Sequence, residues 1–417
     1  MIELIFEWAK VRRRVAASRL GIILRRFARD LHSRGYTRGS IQSYIRAVEH
    51  LGCWLSTKRL RQVNERCARV FLESHLPHCC CRKPAPKNLL KSRAAIRRFL
   101  QFLRGHKLVE EVRPQTPRQK AVARLLTAYD RHLDRVCGLS VSTRRSRQHY
   151  ALQFLQWRFG RQWPRLLRLR RTDLVAFVVD RARHLTCSGT RDVACGLRSF
   201  CRFLEFSGRI HLTLAGALPR PVQPPAQQPP KILERRQWQS FLNSFPRNTA
   251  TGQRDYAIAL CLSLLALRAG EVATLTLDDL NWRQMTMHLG HTKQRRERLL
   301  PLPDRVARAL VKYLQHGRPP TPCRALFVRH RPPVGQAMEL AHVRGAMRRA
   351  FIRCGVAASG THILRHTWAT WAYRRGASLK LVADVLGHKS LNTTTRYAHL
   401  NLEELRQAAL PWPTRKR

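Results

Sequence analysis

The chain has few acidic residues. Its 417 residues include 25 Asp and Glu against 79 Lys and Arg, which gives a formal net charge of +54 at pH 7. A chain this basic repels itself unless it meets a polyanion, so we expect double-stranded DNA or another nucleic acid as its partner. Because 44% of the residues are hydrophobic, the sequence can build cores and is not a disordered basic tail.

The chain also lacks a long apolar run and a secretory signal. The most apolar stretch, Tyr256 to Leu267, is too short to span a bilayer and predicts a buried helix. Acids stand at Glu3 and Glu7, where a signal peptide would be basic. The twelve cysteines show no framework spacing, as is typical of reduced thiols. We therefore expect a cytoplasmic, nucleoid-associated bacterial protein without a membrane partner.

Metal-ligating residue types cluster at one place, where His75, His78 and Cys79 to Cys81 follow one another closely. Three adjacent cysteines cannot easily bind one ion together, and no second C-x-x-C lies nearby. The sequence therefore favours a loop with free thiols over a zinc site, and we predict no metal site.

Two regions before residue 219 follow the same plan. Residues 22–105 and 123–206 both show helical periodicity, and both end in the pattern R-x-F-x-x-F-L, at residues 97–103 and 198–204. This repeat favours a tandem pair of small helical bundles, although two amphipathic helices can resemble each other without duplication.

Both predicted bundles contain helix-capping residues and basic polar faces. Thr37 with Ser40, and Ser140 with Thr143, stand where a helix N-cap is expected. Arginines crowd the polar faces, as at Arg144, and the overall charge favours phosphate contacts for them.

A proline-rich stretch, Pro219 to Pro230, is typical of an extended linker. We therefore predict a first helical DNA-binding bundle at residues 1–118, a second at 119–218, a linker at 219–233 and a C-terminal domain at 234–417.

The most informative stretch is Thr361 to Thr370. On a helix, His362, Arg365 and His366 stand at i, i+3 and i+4, so the pattern predicts that they share one face. A buried face of this kind needs a reason, because unpaired cations are costly in a core, and a bound anionic ligand is a sufficient one. The alternative is that these residues are surface charges on an amphipathic helix.

Four more residues carry possible chemistry. Arg268 directly follows the apolar run, with Glu271 three residues on as a possible orienting partner. Lys293 lies in the cationic turn of a predicted hairpin, where it could donate a proton to a phosphate oxygen or could simply be solvated. Tyr397 stands among cations, which favour a phenolate nucleophile, but a lone tyrosine can equally be a core aromatic.

Together these motifs resemble the catalytic domain of the tyrosine recombinases, the integrase family. THILRHTWAT (361–370) and LGHKSLNTTTRYAH (386–399) are similar to the second and third boxes of the family, and ALRAGEVATLTLDDL (266–280) to the first. Ala266 stands where a glycine is common, and TKQRRERLLPL (292–302) resembles the family's hairpin. The resemblance covers residues 234–400 and, more loosely, 123–215 as a SAM-like core-binding domain.

The resemblance implies a mainly α fold with a small β-hairpin or sheet in the catalytic domain (α+β), preceded by two SAM-like helical bundles. It implies catalytic roles for Arg268, Lys293, His362, Arg365, His388 and Tyr397, with Glu271 and His366 as supports. Tyr397 would form a 3′-phosphotyrosyl bond with DNA, and four protomers would exchange strands. No metal or other cofactor is expected, since arginine and lysine stabilise the phosphate charge, and the chain has no G-x-x-x-x-G-K-[ST] motif for ATP.

Several functions remain compatible with these residues. The first is a recombinase, of integrase or transposase type, that integrates or excises a mobile element. The second is a resolvase of replicon or chromosome dimers, which uses the same chemistry. The third is a type IB topoisomerase, but the spacing of the boxes is that of a recombinase. From a different class comes a non-catalytic architectural protein that only bridges DNA sites in a recombinase complex.

Overall fold

The computed structural model describes residues 13, 20–58, 63–79, 81, 88–106, 108, 116–160, 162–210, 214–218, 231–290, 297–357, 360–388 and 394. Within them the chain is mainly helical with one three-stranded sheet, as the sequence predicted. The chain divides into two compact units, residues 112–225 and residues 1–111 with 226–417. Among the described helices, none has the length and apolarity needed to cross a membrane.

The first bundle has its own hydrophobic core, formed by residues between Leu20 and Leu103. Its helices are α1 (Gly21–Ser33), α2 (Arg38–Thr57), α3 (Glu65–Val70) and α4 (Leu89–Gly105). After α3 the chain continues through a π turn, Phe71–His75, and a 3-10 turn, Leu76–His78. The Thr37 hydroxyl accepts a hydrogen bond from the Ser40 N–H at 3.3 Å, which confirms the predicted cap.

The second bundle packs around a separate core between Val122 and Leu218. Its helices are α5 (Pro117–Arg135), α6 (Val141–Phe159), α7 (Arg171–Ala182) and α8 (Cys187–Phe206). The predicted cap is again confirmed, because the Ser140 hydroxyl accepts from the Thr143 N–H at 3.4 Å.

The R-x-F-x-x-F-L endings occupy equivalent places in the two bundles. In the first, the rings of Phe99 and Phe102 lie 5.1 and 5.3 Å from the ring of Phe27 on α1. In the second, Phe200 and Phe203 both lie 5.1 Å from Tyr129 on α5. This shared aromatic arrangement supports the duplication, which stays a proposal together with the bounds of the four predicted segments.

Arg144 in the second bundle makes contacts other than those that the sequence predicted. Arg144 was expected to face phosphate, but its Nη1 lies 3.4 and 2.9 Å from carboxylate oxygens of Asp130 and Asp134. Its side chain is 15% exposed. Arg144 therefore ties α6 to α5, and it is less available to a DNA backbone than the sequence suggested.

The C-terminal part builds the largest core, between Leu233 and Leu364. Its helices are α9 (Arg235–Asn243), α10 (Ala250–Leu264), α11 (Ala269–Thr274), α12 (Asp304–Lys312), α13 (Leu340–Arg353), α14 (His362–Arg374) and α15 (Leu379–Leu386). The predicted buried helix is α10, whose residues from Ala257 to Leu262 are fully buried.

The sheet lies between α11 and α12. Strands β1 (Leu280–Asn281), β2 (Thr286–Leu289) and β3 (Arg298–Pro301) are antiparallel in the order β1-β2-β3. Both strands of the predicted hairpin are therefore confirmed. The tip of its turn, residues 291–296, lies outside the described residues, as do the linker at 219–230 and the C-terminal residues after 394.

Candidate active site

A bend after α10 places Arg268. The helix ends at Leu264, and the Leu267 N–H donates back to the Cys261 carbonyl at 3.3 Å. Within the bend, Ala266 has a φ of 51°, a left-handed conformation that glycine adopts without strain. This backbone explains why glycine is common here in the family. Arg268 follows as the N-cap of α11.

Glu271 orients Arg268, as the sequence predicted. The Arg268 Nη1 donates to the Glu271 Oε1 at 2.8 Å, and the Arg268 backbone N–H donates to Oε2 at 2.8 Å. The carboxylate is only 4% exposed, whereas the Arg268 side chain is 21% exposed. The guanidinium is therefore held by a buried anchor and still reaches the surface.

A second arginine, Arg298 at the start of β3, shares this carboxylate. Its Nη2 lies 2.8 Å from the Glu271 Oε1, and its side chain is 8% exposed. Burial opposes ionisation of Glu271, but the charge of Arg298 and the hydrogen bonds from Arg268 outweigh it, so the pKa of Glu271 is lowered. Sequence reasoning missed Arg298, because no local pattern separates it from the arginines at 295 and 296.

Arg365 on α14 is the most deeply placed cation of the site, at 4% exposure. Its Nη1 donates to the Ala266 carbonyl at 2.5 Å, and its Nη2 donates to the Leu386 carbonyl. The expected common face of α14 exists, since the rings of His362 and His366 lie 6.4 Å apart. Of the three residues only Arg365 is buried, since His362, at the start of α14, is exposed and His366 is half-buried.

The last turn of α15 is where the three arginines meet. The carbonyls of Val385, Leu386 and Gly387 accept hydrogen bonds from Arg298, Arg365 and Arg268 respectively. The C-terminal end of a helix carries partial negative charge, which stabilises cations placed there. Gly387 has a φ of 58° and a ψ of 50°, so it ends the helix and turns the chain toward His388.

His388 leaves this turn in a fixed orientation. Its backbone N–H donates to the Ala383 carbonyl at 3.0 Å. Its ring Nδ1 lies 2.8 Å from the hydroxyl of the buried Thr394. This contact fixes the direction in which the ring points.

The surroundings of His362, at the start of α14, favour its neutral form. Although His362 is exposed, the surrounding protein desolvates its ring, and the charges of Arg365, Arg344 and Arg268 add to this, so the pKa of His362 is lowered. A neutral imidazole beside fixed cations can accept or relay a proton while the arginines hold an anion.

The structure thus brings together most of the residues proposed from the sequence. Arg268, His362, Arg365 and His388 share one site, with Glu271 beneath it and His366 one turn along α14. The other two proposed catalytic residues, Lys293 and Tyr397, lie outside the described residues. Their roles stay predictions.

Comparison with known proteins places this site in a family. Residues 231–404 match the model of the phage integrase family. Over 392 residues the chain is 33% identical to y4rA of Sinorhizobium fredii (strain NBRC 101917 / NGR234), named as an integrase/recombinase, and the match covers 93% of each chain. It is 29% identical over 251 residues to the tyrosine recombinase XerD of Listeria monocytogenes serotype 4b (strain F2365), covering 56% of this chain and 78% of that protein.

The fold agrees with these matches. The crystal structure of XerH site-specific recombinase bound to a palindromic difH substrate superposes with a TM-score of 0.55 at 20% identity, and the match covers 75% of this chain and 94% of that chain. A full-length relative above 30% identity, the family model and the shared fold lead to one conclusion: the chain belongs to the phage integrase family and is a tyrosine-type site-specific DNA recombinase.

Proposed function

We propose that this recombinase cuts and rejoins duplex DNA through a 3′-phosphotyrosyl intermediate formed by Tyr397. The observation that carries the proposal is the meeting of Arg268 and Arg365 at the last turn of α15, beside His388. Two guanidinium groups held by buried partners provide a preorganised site for the non-bridging oxygens of one phosphodiester.

The proposed reaction exchanges one phosphodiester bond of DNA for a phosphotyrosyl bond. The Tyr397 oxygen attacks phosphorus, and the bond to the 5′-oxygen of the next nucleotide breaks. Arg268 and Arg365 stabilise the extra negative charge of the five-coordinate phosphorus, and His388 donates a hydrogen bond to a phosphate oxygen. Lys293 gives a proton to the departing 5′-oxygen, while His362 assists in moving the tyrosine proton. Attack of another 5′-hydroxyl on the phosphotyrosine reverses these steps and joins a new strand.

Arg298 and Glu271 would position Arg268 without taking part in the reaction themselves. Glu271 holds Arg268 through two hydrogen bonds, and Arg298 neutralises the same carboxylate from the other side. Neither side chain needs to touch DNA. Their role would be to keep the Arg268 guanidinium in one orientation.

The partner of the site would be double-stranded DNA in the cytoplasm, associated with the nucleoid. The net charge of +54 supports a phosphate partner. We further propose a homo- or hetero-tetramer in the synaptic complex, since exchange of two duplexes requires four cleavages.

Integration or excision of a mobile element is the biological role that we favour over resolution of replicon dimers. The match to the integrase/recombinase y4rA covers 93% of this chain, whereas the match to XerD covers 56%. A relative whose match covers 93% of this chain therefore carries an integrase/recombinase name.

The test uses nicked suicide DNA that carries the ends, or the insertion junction, of the element next to the gene. Denaturing gels should show a covalent protein–DNA band with the wild type. Tyr397→Phe should abolish the band, and Arg365→Ala should reduce it at least about 100-fold, because one fixed charge at the transition state is lost. Tyr256→Phe is the matched tyrosine control and should leave the band unchanged, since Tyr256 contacts Arg305 away from the site.

A Tyr397→Phe variant that still forms the covalent band would refute the assignment of the nucleophile. If wild type binds the DNA in a salt-sensitive manner but never forms the band, even with neighbouring recombinase gene products added, the architectural function would be supported instead. Mapping the trapped phosphate gives the core site.

A further inference from the structure

Four metal-ligating side chains converge in the first bundle. His50, His75, Cys79 and Cys81 each place one ligand atom so that all four atoms lie within 4.8 Å of one another. His50 lies on α2, and the other three lie in the segment that follows α3. Sequence reasoning had weighed the downstream residues without His50, which stands 25 residues before His75.

Three of the six distances between these atoms are close to those of a tetrahedral site. The two Nε2 atoms of His50 and His75 lie 3.2 Å apart. The Cys79 Sγ lies 3.3 Å from the His50 Nε2, and the Cys81 Sγ lies 3.8 Å from the His75 Nε2. With Zn–N of about 2.0–2.1 Å and Zn–S of about 2.3 Å, tetrahedral geometry places neighbouring ligand atoms about 3.3–3.8 Å apart.

Hydrogen bonding alone accounts poorly for this arrangement. The His50 Nε2 faces both the His75 ring nitrogen and the Cys79 sulfur. A ring nitrogen carries either one proton or one lone pair, so it cannot make two good hydrogen bonds at once. A cation at the centre accepts a lone pair from every one of the four atoms.

The histidines are held in the orientation that a metal needs. His50 is 1% exposed, and its ring packs against Phe71 at 5.1 Å, while the His75 ring packs against the same phenylalanine at 5.2 Å. This packing holds a nitrogen of each ring next to a cysteine sulfur.

We propose that His50, His75, Cys79 and Cys81 bind one zinc ion in a closed structural site. Four protein ligands leave no position for water or substrate, so the ion has no part in cleaving DNA. On binding, both thiols lose their protons to solvent and both imidazoles stay neutral. The ion ties the segment from His75 to Cys81 onto α2, and so it stabilises the first bundle.

The experiment measures the metal directly in the full-length protein. After dialysis against a weak chelator, elemental analysis should find about one zinc ion per chain, as a four-ligand site requires. Replacement by Co²⁺ should give the visible absorption of tetrahedral cobalt together with a thiolate charge-transfer band. Cys81→Ser and His75→Ala should lose the ion under the same dialysis, and circular dichroism checks that each variant is folded.

Two variants, one at a histidine and one at a cysteine, serve as matched controls. His78→Ala removes an exposed histidine three residues from His75, and Cys137→Ser removes an exposed cysteine from the other compact unit. Both should keep the zinc. His50→Ala is less decisive, because loss of a buried ring can unfold the bundle.

Wild-type protein without zinc and without a tetrahedral Co²⁺ spectrum would overturn the proposal, as would zinc retained equally by wild type, Cys81→Ser and His75→Ala. A cobalt spectrum without the thiolate band would also count against it. The measurement needs no DNA, so its outcome is independent of whether the proposed cleavage reaction is observed.

Discussion

Replacing Glu271 by glutamine should destabilise the active-site region while changing its shape very little. The carboxylate is buried at 4% exposure between Arg268 and Arg298, and it accepts from both a guanidinium and a backbone N–H. Glutamine keeps one acceptor oxygen, but its NH₂ group must face one of these donors. Removing one partner of a buried ion pair typically costs about 3–5 kcal/mol. Since one acceptor survives, we expect about 3 kcal/mol, which is roughly a 100-fold change in the local opening equilibrium.

Hydrogen exchange of peptides from α10 to α11 measures this change at neutral pH in the intact chain. The matched control is Asp278→Asn. Asp278 pairs with Arg324, but the two side chains are 64% and 65% exposed, so solvent screens the pair and protection should not change. A Glu271→Gln variant whose protection changes by less than about 0.5 kcal/mol, a value common for surface substitutions, would refute the reasoning.

The buried Glu271 carboxylate also makes the stability depend on pH. The folded pKa of Glu271 is lowered from 4.5, so its contribution to stability is fully present above pH 4.5 and is lost as the pH falls through the folded value. The difference in thermal stability between wild type and Glu271→Gln should therefore shrink as the solution is acidified below pH 4.5. A difference that stays constant or grows in acid would contradict the assigned charge state.

Three further predictions concern single contacts. Ala266→Gly should change stability by less than about 1 kcal/mol, because relief of left-handed strain offsets added chain entropy, whereas Ala266→Val should cost more than about 2 kcal/mol in urea unfolding. Thr367→Val should cost about 1–3 kcal/mol, because the buried Leu233 N–H loses its acceptor at 2.8 Å, while Thr274→Val, at an exposed helix position, should cost much less. Arg298→Lys should lower covalent complex formation about 10- to 100-fold with unchanged DNA binding, since lysine cannot reach both the carboxylate and the helix carbonyl that arginine contacts.

Local features of the molecule could be predicted from the sequence. The caps at Thr37 and Ser140, the buried helix α10 and the two hairpin strands all depend on residues close together in the chain. The pairing of Arg268 with Glu271 is of the same kind, because three residues separate them at a helix start. The family was evident too, since its boxes are contiguous stretches with characteristic spacing.

By itself, then, the amino-acid sequence determined the helices, the charge, the family and most members of the site. Only the tertiary structure decided how those members are held. Arg365 reaches the Ala266 carbonyl across 99 residues, and Arg298 reaches the Val385 carbonyl across 87. It also decided that His50 joins His75, because the packing of α2 against the turn after α3 brings the two rings together. Such contacts depend on how helices pack, which local periodicity does not specify, and they turn isolated basic and metal-ligating residues into sites.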